Sequence, residues 1–113
     1  MVDLAGYQKI AVRSKYRSVK TEVDGIVFAS RKEAERYSEL KLLLRQKYIS
    51  ALSLQVPFVV RINGRKICKY VADFVYVENG DRIIEDVKGY KTAIYKLKRK
   101  LVEATHNVTI REI

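Results

Sequence analysis

Apolar residues change their spacing along this chain in a way that marks out its elements one after another. In Glu22 to Phe28, EVDGIVF, short apolar runs flank an Asp-Gly dipeptide, which predicts a hairpin. Ser30 to Tyr48, SRKEAERYSELKLLLRQKY, combines strong helix formers with apolar residues three and four apart and predicts a helix. From Leu52 to Lys88 the pattern becomes strand-like in three runs, LSLQVPFVVRI, RKICKYVADFVYVE and DRIIEDVK, separated by Asn63-Gly64 and Asn79-Gly80. Such dipeptides favour two-residue turns, so the three runs form an antiparallel meander. Pro57 has no N–H for a ladder, which sets its strand at an edge or at a bulge. Gly89 ends the third strand, Lys91 to Thr105 predicts a second helix, and NVTIREI predicts a last strand. The expected fold is α/β (α+β): helix, three strands, helix, strand, with a mixed sheet whose meander is flanked by helices.

Length and charge narrow what such a fold is for. At 113 residues the chain supports one hydrophobic core, so residues 1–113 are expected to form a single domain, with a basic arm and hairpin over 1–28 and the core over 29–113. The longest uncharged apolar stretches, such as Ala51 to Val60, are far too short to span a bilayer, and the N-terminus lacks an apolar leader core, so no membrane partner and a cytoplasmic location are expected. Cys68 has no second cysteine to pair with and reads as a buried structural thiol. With 23 Lys and Arg against 13 Asp and Glu, the net charge of +10 favours a polyanionic partner, nucleic acid first. The basic residues gather in RSKYRSVK, Arg13 to Lys20, and in KGYKTAIYKLKRK, Lys88 to Lys100. Lys15, Tyr16, Arg17 and Lys20 from the arm and Lys91, Lys96 and Arg99 from the second helix are the expected backbone contacts to DNA, which set affinity without reading bases. The plainer reading of the helix cations is a solvated face opposite Ile94, Leu97 and Leu101.

Chemistry enters through IIEDVKGY, Ile83 to Tyr90, where two acids and a lysine interrupt an apolar run. If Asn79 and Gly80 are the two turn residues, Glu78 faces Asp81, and counting outward sets Asp73 opposite Asp86. Directly opposed side chains in an antiparallel ladder lie about 5 Å apart at Cβ on the same face of the sheet, and like charges there repel. Lys88 projects to that face and Glu85 to the other. Two compensations suit the aspartate pair. One is a hard divalent cation such as Mg2+, which prefers carboxylate oxygens. The other is a simple Asp-Lys pair at the strand end. On the first helix, Glu33, Tyr37, Leu40, Leu44 and Tyr48 fall on one stripe at about 100° per residue, which turns Glu33 toward the sheet. Ser30 and Glu33 equally fit the spacing of a capping box.

Asp73, followed by Asp86-Val87-Lys88 at the end of the next strand and preceded by a helical Glu33, resembles the PD-(D/E)xK nuclease superfamily, whose restriction-endonuclease-like core runs helix, three strands, helix, strand. FASRKEAERYSELKLL, YVADFVYVENG and EDVKGYKT are also similar to a small phage- and prophage-borne family of mostly unassigned function. Ala72 stands where the superfamily's name places proline. The resemblance implies a metal-dependent endonuclease acting on duplex or branched DNA, in the manner of a Holliday-junction resolvase in phage recombination or replication, in the host cytoplasm if phage-encoded. It implies catalytic roles for Glu33, Asp73, Asp86 and Lys88. It likewise implies Mg2+, with Mn2+ as substitute, held by Asp73, Asp86, the Val87 carbonyl and Glu33. A junction resolvase needs two active sites and hence a homodimer. Gln55 is a candidate support to the metal site, although counting through Asn63-Gly64 sets it opposite Ala72, on the wrong face, unless a bulge near Pro57 intervenes. His106, alone near a helix end, reads as a cap. Two other readings stand beside the DNA nuclease: an RNA nuclease, and a non-catalytic nucleic-acid-binding module on the same fold.

Overall fold

Two Asn-Gly dipeptides fold the central part of the chain back on itself. Asn63 and Gly64 have φ of 52° and 80°, and Asn79 and Gly80 have 52° and 82°. A pair of left-handed residues is the hairpin turn whose twist matches that of its flanking strands. These turns belong to a computed structural model that describes residues 19–87 and 89–113. The chain divides into two units, the first ending at Glu35 and the second running from Arg36 to Ile113.

In the first unit, β1 (Thr21–Val23) and β2 (Ile26–Phe28) form the expected hairpin, with Val23 opposite Ile26 across Asp24-Gly25. The helix α1 (Arg31–Arg45) then begins, its first turn capped by Ser30, whose Oγ accepts from the Glu33 N–H at 3.1 Å. The division between the units falls within this helix.

The second unit carries the sheet. Its strands are β3 (Ser50–Ile62), β4 (Arg65–Glu78), β5 (Asp81–Asp86) and β6 (Ile110–Glu112), in the spatial order β3-β4-β5-β6. The first three are the antiparallel meander, and β6 returns parallel to β5 after the helix α2 (Ala93–His106). Pro57 lies on β3, at an edge of the sheet, as its missing N–H requires. The architecture is therefore α+β, with two helices, a mixed four-stranded sheet and the small antiparallel hairpin. No helix among the described residues is long and apolar enough to cross a membrane.

Helix ends explain where the expected elements stop short. The stripe through Tyr37 and Leu40 is buried, but Tyr48 is 67% exposed. Lys47 takes φ of 66°, and its N–H and that of Tyr48 turn back to the Leu44 and Leu43 carbonyls. That left-handed cap ends α1 at Arg45 and removes Tyr48 from the helical face. The second helix opens on Thr92, whose hydroxyl accepts from the Tyr95 N–H at 3.0 Å, and closes on Asn107 at φ 55°. Its single histidine does not cap it: His106 Nε2 lies 2.8 Å from the Val59 carbonyl on β3, with its ring edge-on to Phe58.

The two faces of the sheet are chemically different. One buries Phe58, Val60, Tyr70, Ala72, Val75 and Ile84 under Tyr95 and Val102 of α2, with Ile110 of β6. The other carries Phe74 and Tyr76 and, fully buried, Glu85. Arg36 of α1 grips that carboxylate with two nitrogens, Nε at 2.8 Å and Nη2 at 2.5 Å, and the Tyr76 hydroxyl donates to it as well. Arg111 stands 3.9 Å from the same carboxylate. Cys68 is half-buried at the margin of the core, so it is a packing residue less enclosed than the pattern suggested.

Removing one member of a buried charge pair leaves the other uncompensated, at a cost of about 3–5 kcal/mol. Arg36→Met should therefore lower the unfolding free energy in urea by about that amount, and Arg36→Met/Glu85→Leu should recover part of the loss. Equal stability of Arg36→Met and wild type would show that the pair contributes nothing.

Candidate functional site

The site grows from the register of β4 against β5. Their ladder runs from Glu78 opposite Asp81 to Phe74 opposite Glu85, so Asp73 is the next residue toward Asp86. Both aspartates are buried, Asp86 completely and Asp73 with 9% of its surface exposed. Glu85, between them in the count, points to the opposite face and is already neutralised by Arg36. Two adjacent buried acids thus have different partners because a strand sends successive side chains to opposite faces.

Donors from the protein hold each aspartate in place. The Val87 N–H donates to Asp73 Oδ2 at 2.8 Å, and Gln55 Nε2 reaches Asp73 Oδ1 at 3.4 Å. The Tyr70 hydroxyl donates to Asp86 Oδ2. Charge-assisted bonds of this kind stabilise the carboxylates while leaving oxygen lone pairs for a further ligand. The chemistry of the donors, hard carboxylate oxygens with a main-chain carbonyl nearby in sequence at Val87, fits Mg2+. Among the described residues no three His, Cys, Asp or Glu side chains gather into a metal-binding cluster. The ladder register and the bond from Val87 N–H bring the Asp73 carboxylate to the end of β5 that carries Asp86.

Gln55 reaches the site by a route that differs from the expected one. The ladder of β3 and β4 slips between Val60/Cys68 and Arg61/Lys66, which leaves Ile67 as the extra residue of a bulge near the turn. Beyond the slip, Leu54 faces Phe74 and Val56 faces Ala72, so Gln55 stands at Asp73 rather than at Ala72. Gln55 also has φ of 53°, a left-handed conformation uncommon for a non-glycine residue. Strict alternation would send Tyr70 to the Phe74 and Tyr76 side, yet its hydroxyl meets Asp86 on the other. The pleat therefore slips between Tyr70 and Phe74, beside the irregular Gln55, and that slip delivers the tyrosine to the acids. Sequence reasoning missed Tyr70 because a period of two cannot register such an irregularity.

The remaining expected residues fall into three groups. Glu33 lies in the first unit, in the first turn of α1, where the Ser30 hydroxyl donates to it at 3.5 Å, the pairing anticipated from the capping-box spacing. Arg99 of α2 is taken up by Glu112 at 3.0 Å, by Glu103 and by the Ile110 carbonyl, and Lys91, which precedes the helix because Thr92 caps it, lies 3.6 Å from Glu112. Lys96 is exposed, as is Lys20 at the start of the described chain. Lys15, Tyr16, Arg17 and Lys88 lie outside the described residues.

Three tyrosines, Tyr70, Tyr76 and Tyr95, are each held neutral by burial and by donation to a carboxylate. Burial, then the bond to Asp86, raises the Tyr70 pKa well above its ordinary value. Burial, then the bond to Glu112, does the same for Tyr95. Burial and the bond to Glu85 push Tyr76 up to about 12.

Comparison with known proteins adds a family. A family model described as Protein of unknown function (DUF1064) matches residues 13–112. No curated protein matches. No solved structure matches.

The raised tyrosine values have a consequence with a definite sign. A phenol whose folded value exceeds its ordinary 10.0 contributes stability that is complete below about pH 10 and is lost as the pH rises through the folded value, about 12 for Tyr76. The urea midpoint of wild type should thus fall between pH 10 and 12 more steeply than that of Tyr76→Phe, which lacks the ionisable group. Parallel curves for the two proteins would rule out this linkage.

Proposed function

The chain belongs to the DUF1064 family, and from that premise we propose that it is a metal-dependent endonuclease hydrolysing phosphodiester bonds in DNA at the Asp73–Asp86 site, on a nuclease core of the PD-(D/E)xK type. One observation carries the reading: two buried aspartates are held at neighbouring positions on one face of a small, strongly basic domain. Like charges in that relation destabilise a fold unless something compensates them. Glu85, one residue away on the other face, is held by Arg36, whereas Asp86 is held by the Tyr70 hydroxyl.

Charge is distributed to suit a polyanion. No acid occurs between Glu39 and Asp73, a segment that includes Lys41, Arg45, Lys47, Arg61, Arg65, Lys66 and Lys69. None occurs between Asp86 and Glu103 either, where the cations run from Lys88 to Lys100. The acids of the second unit are thereby concentrated on β4 and β5, between two basic segments that attract phosphates.

Asp73 and Asp86, with the Val87 carbonyl, are the residues of the second unit that would hold Mg2+. When bound, the ion supplies a water of lowered pKa and a counter-charge for the phosphate. Val87 N–H and Gln55 orient Asp73, and Tyr70 orients Asp86, so each carboxylate keeps a fixed direction. Lys88 is the amine two residues beyond Asp86, suited to orienting the attacking water and sharing the charge that develops on the phosphate. Branched DNA remains the proposed substrate form, and a homodimer the proposed assembly if both strands of a junction are cut.

A competing reading has its own support. Each aspartate already has protein donors, which is what a structural role in a non-catalytic nucleic-acid-binding module requires.

Cleavage of a panel of linear duplex, single-stranded, flap and four-way-junction DNA, with RNA counterparts, decides between them. Wild type should cut with Mg2+ or Mn2+ and not with EDTA, and Asp86→Asn should fall to background. Mg2+ at about 100 times its dissociation constant should also stabilise wild type by about 2.7 kcal/mol and leave Asp86→Asn unmoved. Binding without cutting under every condition would establish the module instead.

A further inference from the structure

Beside the aspartates, between β4 and α2, lies a groove of about 350 Å³. Tyr70 and Tyr95 line it with their rings, 6.4 Å apart between centroids, while their hydroxyls are engaged with Asp86 and Glu112. The polar ends of both tyrosines are thus occupied and both side chains are buried, so they form the floor of the groove and leave its exposed walls to meet a ligand. Lys69 on the strand and Lys98 on the helix complete the lining with Val71, Thr92 and Ile94. Neither lysine forms an ion pair among the described residues, and Val71 and Ile94 are exposed, Ile94 at 69%.

Two cations without acids of their own call for an anion. Exposed aliphatic carbons beside aromatic rings call for a flat apolar surface. A nucleotide combines both in one unit, and a groove of this size sits at the lower end of small-ligand sites, too small for a duplex. We propose that this groove is a subsite for a single unpaired nucleotide, with Lys69 and Lys98 on its phosphate and Val71 and Ile94 against its base. In a duplex the base face is covered by its stacked neighbours, so only an unstacked nucleotide can fill the groove. Tyr70 joins the two sites, since the ring that lines the groove carries the hydroxyl that holds Asp86. For the role in cleavage the inference rests on the nuclease reading. It then narrows the substrate to DNA with an unpaired nucleotide next to the cut, as at a junction, a flap or a frayed end.

Binding can be tested apart from cleavage. Fluorescence anisotropy in EDTA would compare an octamer of thymidylate with an abasic octamer of the same length and charge. The proteins would be wild type, Lys69→Ala/Lys98→Ala, Val71→Ala/Ile94→Ala and, as a control of equal charge loss elsewhere, Arg31→Ala/Lys32→Ala. Wild type should prefer thymidylate to the abasic chain by about tenfold, the scale of one stacked base. Lys69→Ala/Lys98→Ala should weaken thymidylate binding about tenfold and the control less than about twofold. Val71→Ala/Ile94→Ala should erase the preference for bases. Equal affinity of wild type for the two octamers, or equal loss in the groove and control lysine variants, would overturn the subsite. Absence of cleavage with this discrimination intact would remove the nuclease reading and leave the subsite standing. Cleavage that is indifferent to all four groove substitutions would do the reverse.

Discussion

The grip of Arg36 on Glu85 fixes which way the third meander strand faces, and everything proposed for the site follows from that orientation. Glu85 and Asp86 are consecutive and both fully buried. A slip of one residue would exchange them, setting Asp86 against the arginine and Glu85 against Asp73. A guanidinium on one face and an acid on the other make the correct register far more favourable than its neighbour. Hydrophobic burial alone would not discriminate so sharply, because Ile83 and Ile84 could trade places at little cost. The charge pair is better understood as a device for specifying register than as a net source of stability, since desolvating both ions offsets much of their attraction.

The Asn79-Gly80 turn and the arginine clamp act on the same variable from opposite ends of β5. The turn begins the count and the clamp verifies it near the last pair. Between them they leave the aspartates adjacent without any direct attraction to bring them together.

Much of this was legible from residue order. Both Asn-Gly turns, the meander, the presence of a last strand and the opposite facing of Glu85 and Asp86 follow from periods and turn chemistry that depend only on neighbours along the chain. What escaped depended on single irregular residues. Ile67, as the extra residue of a bulge, moved Gln55 to Asp73. The irregular backbone at Gln55 accompanied the pleat slip that brought Tyr70 to Asp86. Lys47 ended α1 before Tyr48 could join its buried stripe. Arg36 carried no signal at all, because its partner is 49 residues away and nothing local distinguishes it from the other cations of α1. Periodicity reports an average, and the candidate site is assembled from departures from it.

The irregular β3 has a second effect, on how copies of this chain can meet. As a thirteen-residue edge strand it would ordinarily offer a long row of unpaired amides and carbonyls to any other extended chain. Pro57 removes one donor from that row, and the left-handed turns of the backbone at Ala51 and Gln55 break its straightness. The opposite edge, β6, is only three residues long. Neither border of the four-stranded sheet is a good template for cross-β growth, so an extended chain finds no long, straight row of amides and carbonyls there to pair with.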